Sequence, residues 1–157
     1  MLILCVSCVC VLVRESVQMV KFLKPGKVVV LTQGRRAGHK AVIVQAHETG
    51  VDKRKYGHAV IAGVDKYPRK VTKSMGKKKV ERRSRMKAFV KVVNLAHLMP
   101  TRYSFDLSHE KNDIRKIVTP KNLAPAARKN TRARLTKTFQ DRYNSGKNPW
   151  FFRKLRF

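Results

Sequence analysis

The segment Gln33-Gly34-Arg35-Arg36-Ala37-Gly38-His39-Lys40 places two glycines around a short loop and four basic side chains on or beside it. Glycine reaches positive φ without a steric penalty, so the backbone can approach a partner closely. Loop amides and cations together suit the oxygens of a phosphate backbone. The alternative is a hairpin whose arginines are simply solvated. A second concentration is stronger. Between Lys66 and Lys91 stand twelve Lys or Arg in 26 residues, opposed only by Glu81. In isolation such a run repels itself, and without an apolar stripe any helix in it needs an outside partner. It also reads as a nuclear-localisation signal. A third lies in the last 33 residues, where ten Lys or Arg face Asp141 alone. There Pro149-Trp150-Phe151-Phe152-Arg153-Lys154-Leu155-Arg156-Phe157 interleaves aromatics with cations. This tail is expected to stack on bases or dock on a neighbouring protein rather than fold back.

Enzymatic constellations are absent. The nine acids form no close pair for acid–base work, and the histidines at 39, 47, 58, 97 and 109 show no H-E-x-x-H spacing. His97 reads as a structural histidine or an RNA hydrogen-bonder. No phosphate loop of the G-x-x-x-x-G-K-[ST] type and no G-x-S-x-G elbow occurs. Cys5, Cys8 and Cys10 sit together in the apolar stretch Leu2 to Val13, without a second ligand pair, so no metal and no cofactor is expected. That stretch is shorter than the ~20 apolar residues a spanning helix needs. It also lacks the preceding cations and the cleavage site of a signal peptide. Residues 1–18 read as an upstream extension, with Met19 as the working start.

The elements that must carry these groups are short. β-branched runs at Lys27 to Thr32, Lys40 to Ala46, His58 to Val64 and Phe89 to Leu95 read as strands, and Pro25-Gly26 as a turn. Short strands with glycine-bearing turns suggest a small β-barrel rather than a parallel sheet. Pro125 to Tyr143 reads as a helix with Leu135, Phe139 and Tyr143 as its apolar stripe. The fold class is therefore mixed β and α: a barrel over 19–106 with a basic segment inserted near 66–88, then a helical, basic extension over 107–157. A net charge of +28 over 157 residues makes nucleic acid the default partner.

The pattern V-V-V-L-x-x-G-R-R-A-G-x-K-A-V-I-V resembles the KOW motif, which implies an SH3-like barrel. Four longer stretches extend the resemblance: Lys24-Pro-Gly-Lys-Val-Val-Val, Tyr67-Pro-Arg-Lys-Val-Thr before Met75-Gly-Lys-Lys-Lys, His97-Leu-Met-Pro-Thr-Arg-Tyr103, and Gly146-Lys-Asn-x-Trp-Phe-Phe-x-Lys-Leu-Arg-Phe157. From Met19 to Phe157 the chain closely resembles the eukaryotic-type family of large-subunit ribosomal protein number twenty-seven. Residues 1–18 have no counterpart in that pattern, and Leu123-Ala-Pro-Ala-Ala is less charged than the family's usual sequence.

The resemblance implies a structural, non-catalytic component of the cytosolic large ribosomal subunit, with nuclear or nucleolar assembly. Its partners would be ribosomal RNA and neighbouring ribosomal proteins, with no small-molecule substrate and no membrane. The expected RNA contacts begin with Lys24, Lys27, the loop residues Arg35, Arg36, His39 and Lys40, and the loop glycines Gly34 and Gly38. The central run adds Arg69, Lys70, Lys73, Lys77, Lys78, Lys79, Arg82, Arg83 and Arg85. Arg102, Arg128, Lys129, Arg132, Arg134, Lys147, Trp150, Arg153, Lys154 and Arg156 complete them. Two other readings stand beside this one. A KOW-type transcription or RNA-processing factor usually carries a further polymerase-contacting domain, and none is visible. A membrane-surface binder would use the apolar N-terminus with the basic patches.

Overall fold

A computed structural model describes residues 22–49, 54–108 and 113–156. The apolar stretch with its three cysteines, Met19 and Phe157 lie outside the described residues.

Five strands form one antiparallel sheet: β1 (Lys27–Leu31), β2 (Lys40–His47), β3 (His58–Lys66), β4 (Lys87–Asn94) and β5 (Leu98–Ser104). Their spatial order is β4-β3-β2-β1-β5. β1 to β4 fall where the β-branched runs predict them. β5 was not expected as a strand, because Met99-Pro100-Thr101-Arg102 shows no apolar alternation. Proline lacks the N–H a central strand needs, but β5 is an edge strand, where Pro100 is tolerated opposite Val29.

Alternation divides the sheet's side chains between two cores. Val28, Val42, Val44, Val60, Ala62 and Val64 point to one face. There they meet Ile114 of α2 (Ile114–Ile117), Leu135 and Phe139 of α3 (Arg128–Asn144), and Phe151 and Phe152 of α4 (Pro149–Phe152). Val29, Leu31, Ala41, Ile43, Ala59, Ile61, Phe89, Val93 and Leu98 point to the other face. Among the described residues no α-helix belongs to this second core, and only Leu23, Ala46 and Leu95 lie partly buried against it, yet its members are at most 7% exposed. The sheet therefore curls until its own strands cover them. Register shifts at Ile43/Gln45 and Val64/Lys66 supply local twist. The ladder still does not close, and β4 and β5 remain its edges. Gly63 is required where β2 and β4 crowd the middle of β3. A Cβ there would lie 2.6 Å from the Lys40 carbonyl oxygen and 2.6 Å from the Phe89 ring.

The central basic run does form a helix, α1 (Lys77–Ser84), with no buried residue. It hangs on internal hydrogen bonds. The Arg83 Nε donates to the Lys70 carbonyl at 3.0 Å, and the Arg69 amide donates to the Arg83 carbonyl at 2.8 Å. α3 starts at Arg128 and buries Leu135 and Phe139 as its stripe requires. It ends where Gly146, at φ 69°, lets the Gly146 and Lys147 amides return to the Tyr143 and Arg142 carbonyls.

Candidate nucleic-acid interface

The β1–β2 loop is built as its glycines suggest. Gly34 and Gly38 have φ of 89° and 75°. The Gly38 amide donates to the Leu31 carbonyl at 2.7 Å, closing the loop onto β1. The basic side chains do not share one exposed tip, however. Arg35 is exposed. Arg36 turns back, pairs with Asp65 and lies 4.3 Å over the Phe89 ring. The His39 Nδ1–H donates to the Val64 carbonyl at 2.9 Å, and its ring stacks on Tyr67.

Lys40 corrects the sequence reading most sharply. Expected beside an exposed loop tip, it is 1% exposed. Its amide donates to the Tyr67 hydroxyl at 2.8 Å. Its Nζ donates to the carbonyls of Trp150 and Arg153, 2.5 Å to each, and lies 3.8 Å from the Trp150 ring centroid. Lys40 therefore ties the C-terminal tail to the sheet. Burial, with the Arg153 charge second, pushes the ammonium down to about 8. Burial also pushes the Tyr67 phenol up to about 12, against the Lys40 amide bond, which favours the phenolate.

The tail is a second correction. It folds back instead of projecting. Trp150 stacks on Tyr103 at 4.2 Å and 25° between planes. Phe151 and Phe152 are buried, edge-on to Phe139, and Phe151 also meets Phe105. A shared apolar pocket outweighs solvated aromatics once Phe105 and Phe139 are brought together. Beneath this cluster lies a residue the sequence reading missed. Arg142 is 4% exposed, with its guanidinium 4.4 Å from the Phe105 ring centroid. Burial lowers its pKa, and the Asp106 charge partly restores it. Tyr67 and Tyr103, which position Lys40 and Trp150, were missed too. No local signal marks them, because their partners are distant in sequence.

The remaining cations do face outward. Lys77, Lys78, Lys79 and Arg82 are exposed on α1, and so is Arg85 just after it, which pairs with Glu81 at 2.7 Å; Arg83 is half-buried. Lys24, Arg69, Lys70, Lys73 and Arg102 are exposed, and Lys27 is half-buried. On α3, Arg128, Lys129, Arg132 and Arg134 are exposed. Lys147, Arg153, Lys154 and Arg156 are exposed along the tail. The fold brings this last group to Arg69 and Lys70 across one groove of about 840 Å³. His97 is half-buried, and its carbonyl accepts from the Thr32 amide at 3.1 Å. Among the described residues no cluster of three His, Cys, Asp or Glu could hold a metal. No helix among them is long and apolar enough to cross a membrane.

A curled sheet under a helical layer, coated with cations that few acids neutralise, is the build of a basic nucleic-acid-associated protein. Comparison with known proteins narrows that class. Residues 28–157 match the profile of the Ribosomal L27e protein family. The chain is 50% identical over 137 residues to the large ribosomal subunit protein eL27 of Caenorhabditis elegans, covering 87% of this chain and 98% of that one. The chain belongs to the Ribosomal L27e protein family, as its motifs indicate. It is a structural constituent of the ribosome.

Proposed function

We propose that this chain is a component of the cytosolic large ribosomal subunit that holds folded ribosomal RNA together by neutralising phosphates. Where two RNA segments pack side by side, Lys and Arg displace counterions and lower their mutual repulsion. The observation that carries this reading is α1. Its Lys77, Lys78, Lys79 and Arg82, with Arg85 at its C-terminal cap, are all exposed, the helix buries nothing, and Glu81 is its one acid. A helix of this kind contributes little to its own fold, so its charge is there for an external polyanion. The cations of α3 and the tail extend the same surface, with neighbouring ribosomal proteins as further contacts. No catalysis, small-molecule substrate or membrane is part of this reading.

The finer fold assignment belongs here as well. An SH3-like barrel of the KOW type over 19–106 is supported by five short antiparallel strands, a glycine loop with two positive φ values, and a sheet face buried on itself. The 66–88 segment is its insertion and 107–157 its helical extension. Assembly in the nucleus or nucleolus fits the basic run at Lys77 to Arg85.

Sucrose-gradient sedimentation of lysate in high salt tests the assignment. The chain is expected to comigrate with large subunits and polysomes. Its staying at the top of the gradient would overturn the ribosomal placement and favour an RNA-processing factor. Recovery with membranes, lost on deleting residues 1–18, would favour the membrane-surface reading.

A further inference from the structure

We propose that the groove between the segment after β3 and the C-terminal tail is a binding site for RNA backbone, which it takes through phosphates and not through base stacking. This rests on the ribosomal-RNA reading above and assigns it a place on the molecule. Arg69 and Lys70 form one wall; Lys147, Arg153, Lys154 and Arg156 form the other. All six side chains are exposed, and among the described residues no Asp or Glu lines the groove. The walls come from segments some eighty residues apart in sequence, so only the folded chain makes the site. Cations opposed across a groove repel one another, and a polyanion laid between them removes that repulsion. The same uncompensated field reaches the floor, where the Arg153 charge helps depress Lys40. Arginine forks on both walls match phosphate oxygens in pairs.

The aromatic floor decides against base stacking. Trp150 is the aromatic side chain most suited to hold a base. Tyr103 lies parallel to it at 4.2 Å, and the Lys40 ammonium lies 3.8 Å from its ring centroid. Two partners at these distances cannot share one face of the indole, so both faces are occupied. Phe152, also in the lining, is 3% exposed and packed edge-on against Phe139 and Tyr143. Trp150 and Phe152 therefore offer a base no free face, and Tyr143, the third aromatic of the lining, is half-buried and set edge-on to Phe152, which leaves charge as the groove's main offering.

Trp150 is the chain's one tryptophan, so its fluorescence reports directly on the groove. The experiment titrates the full chain with four probes: an octauridylate, an abasic sugar-phosphate oligomer of equal length, linear inorganic polyphosphate and a polyglutamate peptide. The octauridylate and the abasic oligomer are expected to shift Trp150 emission with affinities within about threefold of each other, and polyphosphate to displace both. The triple variant Arg69→Gln/Lys70→Gln/Lys154→Gln alters exposed side chains and leaves the backbone bonds of Arg83 and Lys40 in place. It should lower the log–log salt slope for octauridylate by about 2, at roughly 0.7 per lost single-strand phosphate contact. Tighter binding of the octauridylate than of the abasic oligomer by about tenfold or more would make this a base-stacking site and overturn the proposal. Polyglutamate binding as tightly as octauridylate would make it a docking site for an acidic protein segment, which also overturns it. An unchanged slope in the triple variant, with RNA binding intact, would remove the groove from the interface and leave the ribosomal reading standing. Failure of the wild-type chain to bind any RNA would instead overturn the reading beneath both.

Discussion

Lys40 and Lys78 are the same residue in two basic stretches, and the fold uses them in opposite ways. Around Lys40 three of the loop's four basic side chains turn inward, while Arg35 stays exposed. Arg36 goes to Asp65 and Phe89, His39 to Val64 and Tyr67, and Lys40 to the carbonyls and ring of the tail. Around Lys78 the cations of α1 stay in solvent, and the helix is held by backbone bonds and Arg83. The difference lies in the neighbours. The first stretch lies where Phe89 of β4, Tyr67 just after β3 and Trp150 of α4 converge. A cation can leave water when an aromatic face and a carbonyl receive it. The second has no such neighbours. Net charge therefore overstates the surface available to RNA, because part of it works as internal fastening.

The largest effect expected from this contrast is on stability. Lys40→Ala leaves the Arg153 carbonyl without its donor and Trp150 without its cation. One unmet buried acceptor costs about 1–3 kcal/mol and a desolvated cation–π contact about 0.5–2, so a loss of about 2–3 kcal/mol is expected. Lys78→Ala should change stability by no more than about 0.5 kcal/mol, as exposed substitutions do. Urea unfolding followed by Trp150 fluorescence compares them. Equal effects would mean that Lys40 does not fasten the tail.

RNA binding should invert that order. Replacing Lys77, Lys78 and Lys79 by alanine should flatten the log–log salt dependence by up to about 2–3 units, at about 0.7–0.9 per lost phosphate contact. Lys40→Met, which keeps the buried stem, should leave the slope unchanged. Filter binding to a fixed RNA over a salt series measures both. A Lys40 variant that lowered the slope, or an α1 variant that did not, would exchange the roles assigned to the two regions.

The contrast also marks how far the sequence could be read. β1 to β4 were legible because Val28 to Leu31, Ala41 to Val44 and their partners alternate between two buried faces. The α3 stripe was legible because Leu135 and Phe139 fall one turn apart. β5 was not, since an edge strand with Pro100 and exposed Met99 carries no period-two signal. The exposure of the cations on α1, on α3 and along the tail was legible from composition and local pattern. The burial of Lys40 was not, because its carbonyl partner on Trp150 lies 110 residues away. The same distance concealed the folded-back tail, where Tyr103, Phe105 and Phe139 wait on other elements. What a cation does here depends on long-range packing, and no local window contains that.

A pH series sharpens the comparison within the inward-turned region. Lys40, lowered from 10.5 to about 8, holds fewer protons folded than unfolded between those values. Its burden on the fold is thus present below about pH 8 and relieved as pH rises towards 10.5. Tyr67, raised from 10 to about 12, holds more protons folded than unfolded between those values. Its contribution is present below pH 10 and lost as pH climbs to 12. Unfolding midpoints should therefore rise above pH 8 and turn down above pH 10. Lys40→Met should remove its share of the rise and Tyr67→Phe its share of the fall. A Tyr67→Phe curve parallel to wild type above pH 10 would refute the assignment.

The smallest effects should come from the ion pairs, one in each region. Arg85–Glu81 joins α1 to the residue that caps its C-terminus, with both side chains about 70% exposed. Such an i, i+4 pair is worth about 0.3–0.5 kcal/mol and fades with salt. Arg36–Asp65 is 20% and 34% exposed, and the same guanidinium rests on Phe89. Partial burial weakens the screening, and the ring keeps Arg36 in place without the carboxylate, so the side-chain entropy of pairing is already spent. Its coupling energy in a double-mutant cycle with Arg36→Gln and Asp65→Asn should be about 1 kcal/mol and persist in 0.5 M salt, at the upper end of the surface range. The Arg85–Glu81 coupling should disappear under the same conditions. If both couplings vanished together in salt, the loop of β1 and β2 would be as solvated as α1, and the distinction between fastening and RNA-facing cations would rest on Lys40 alone.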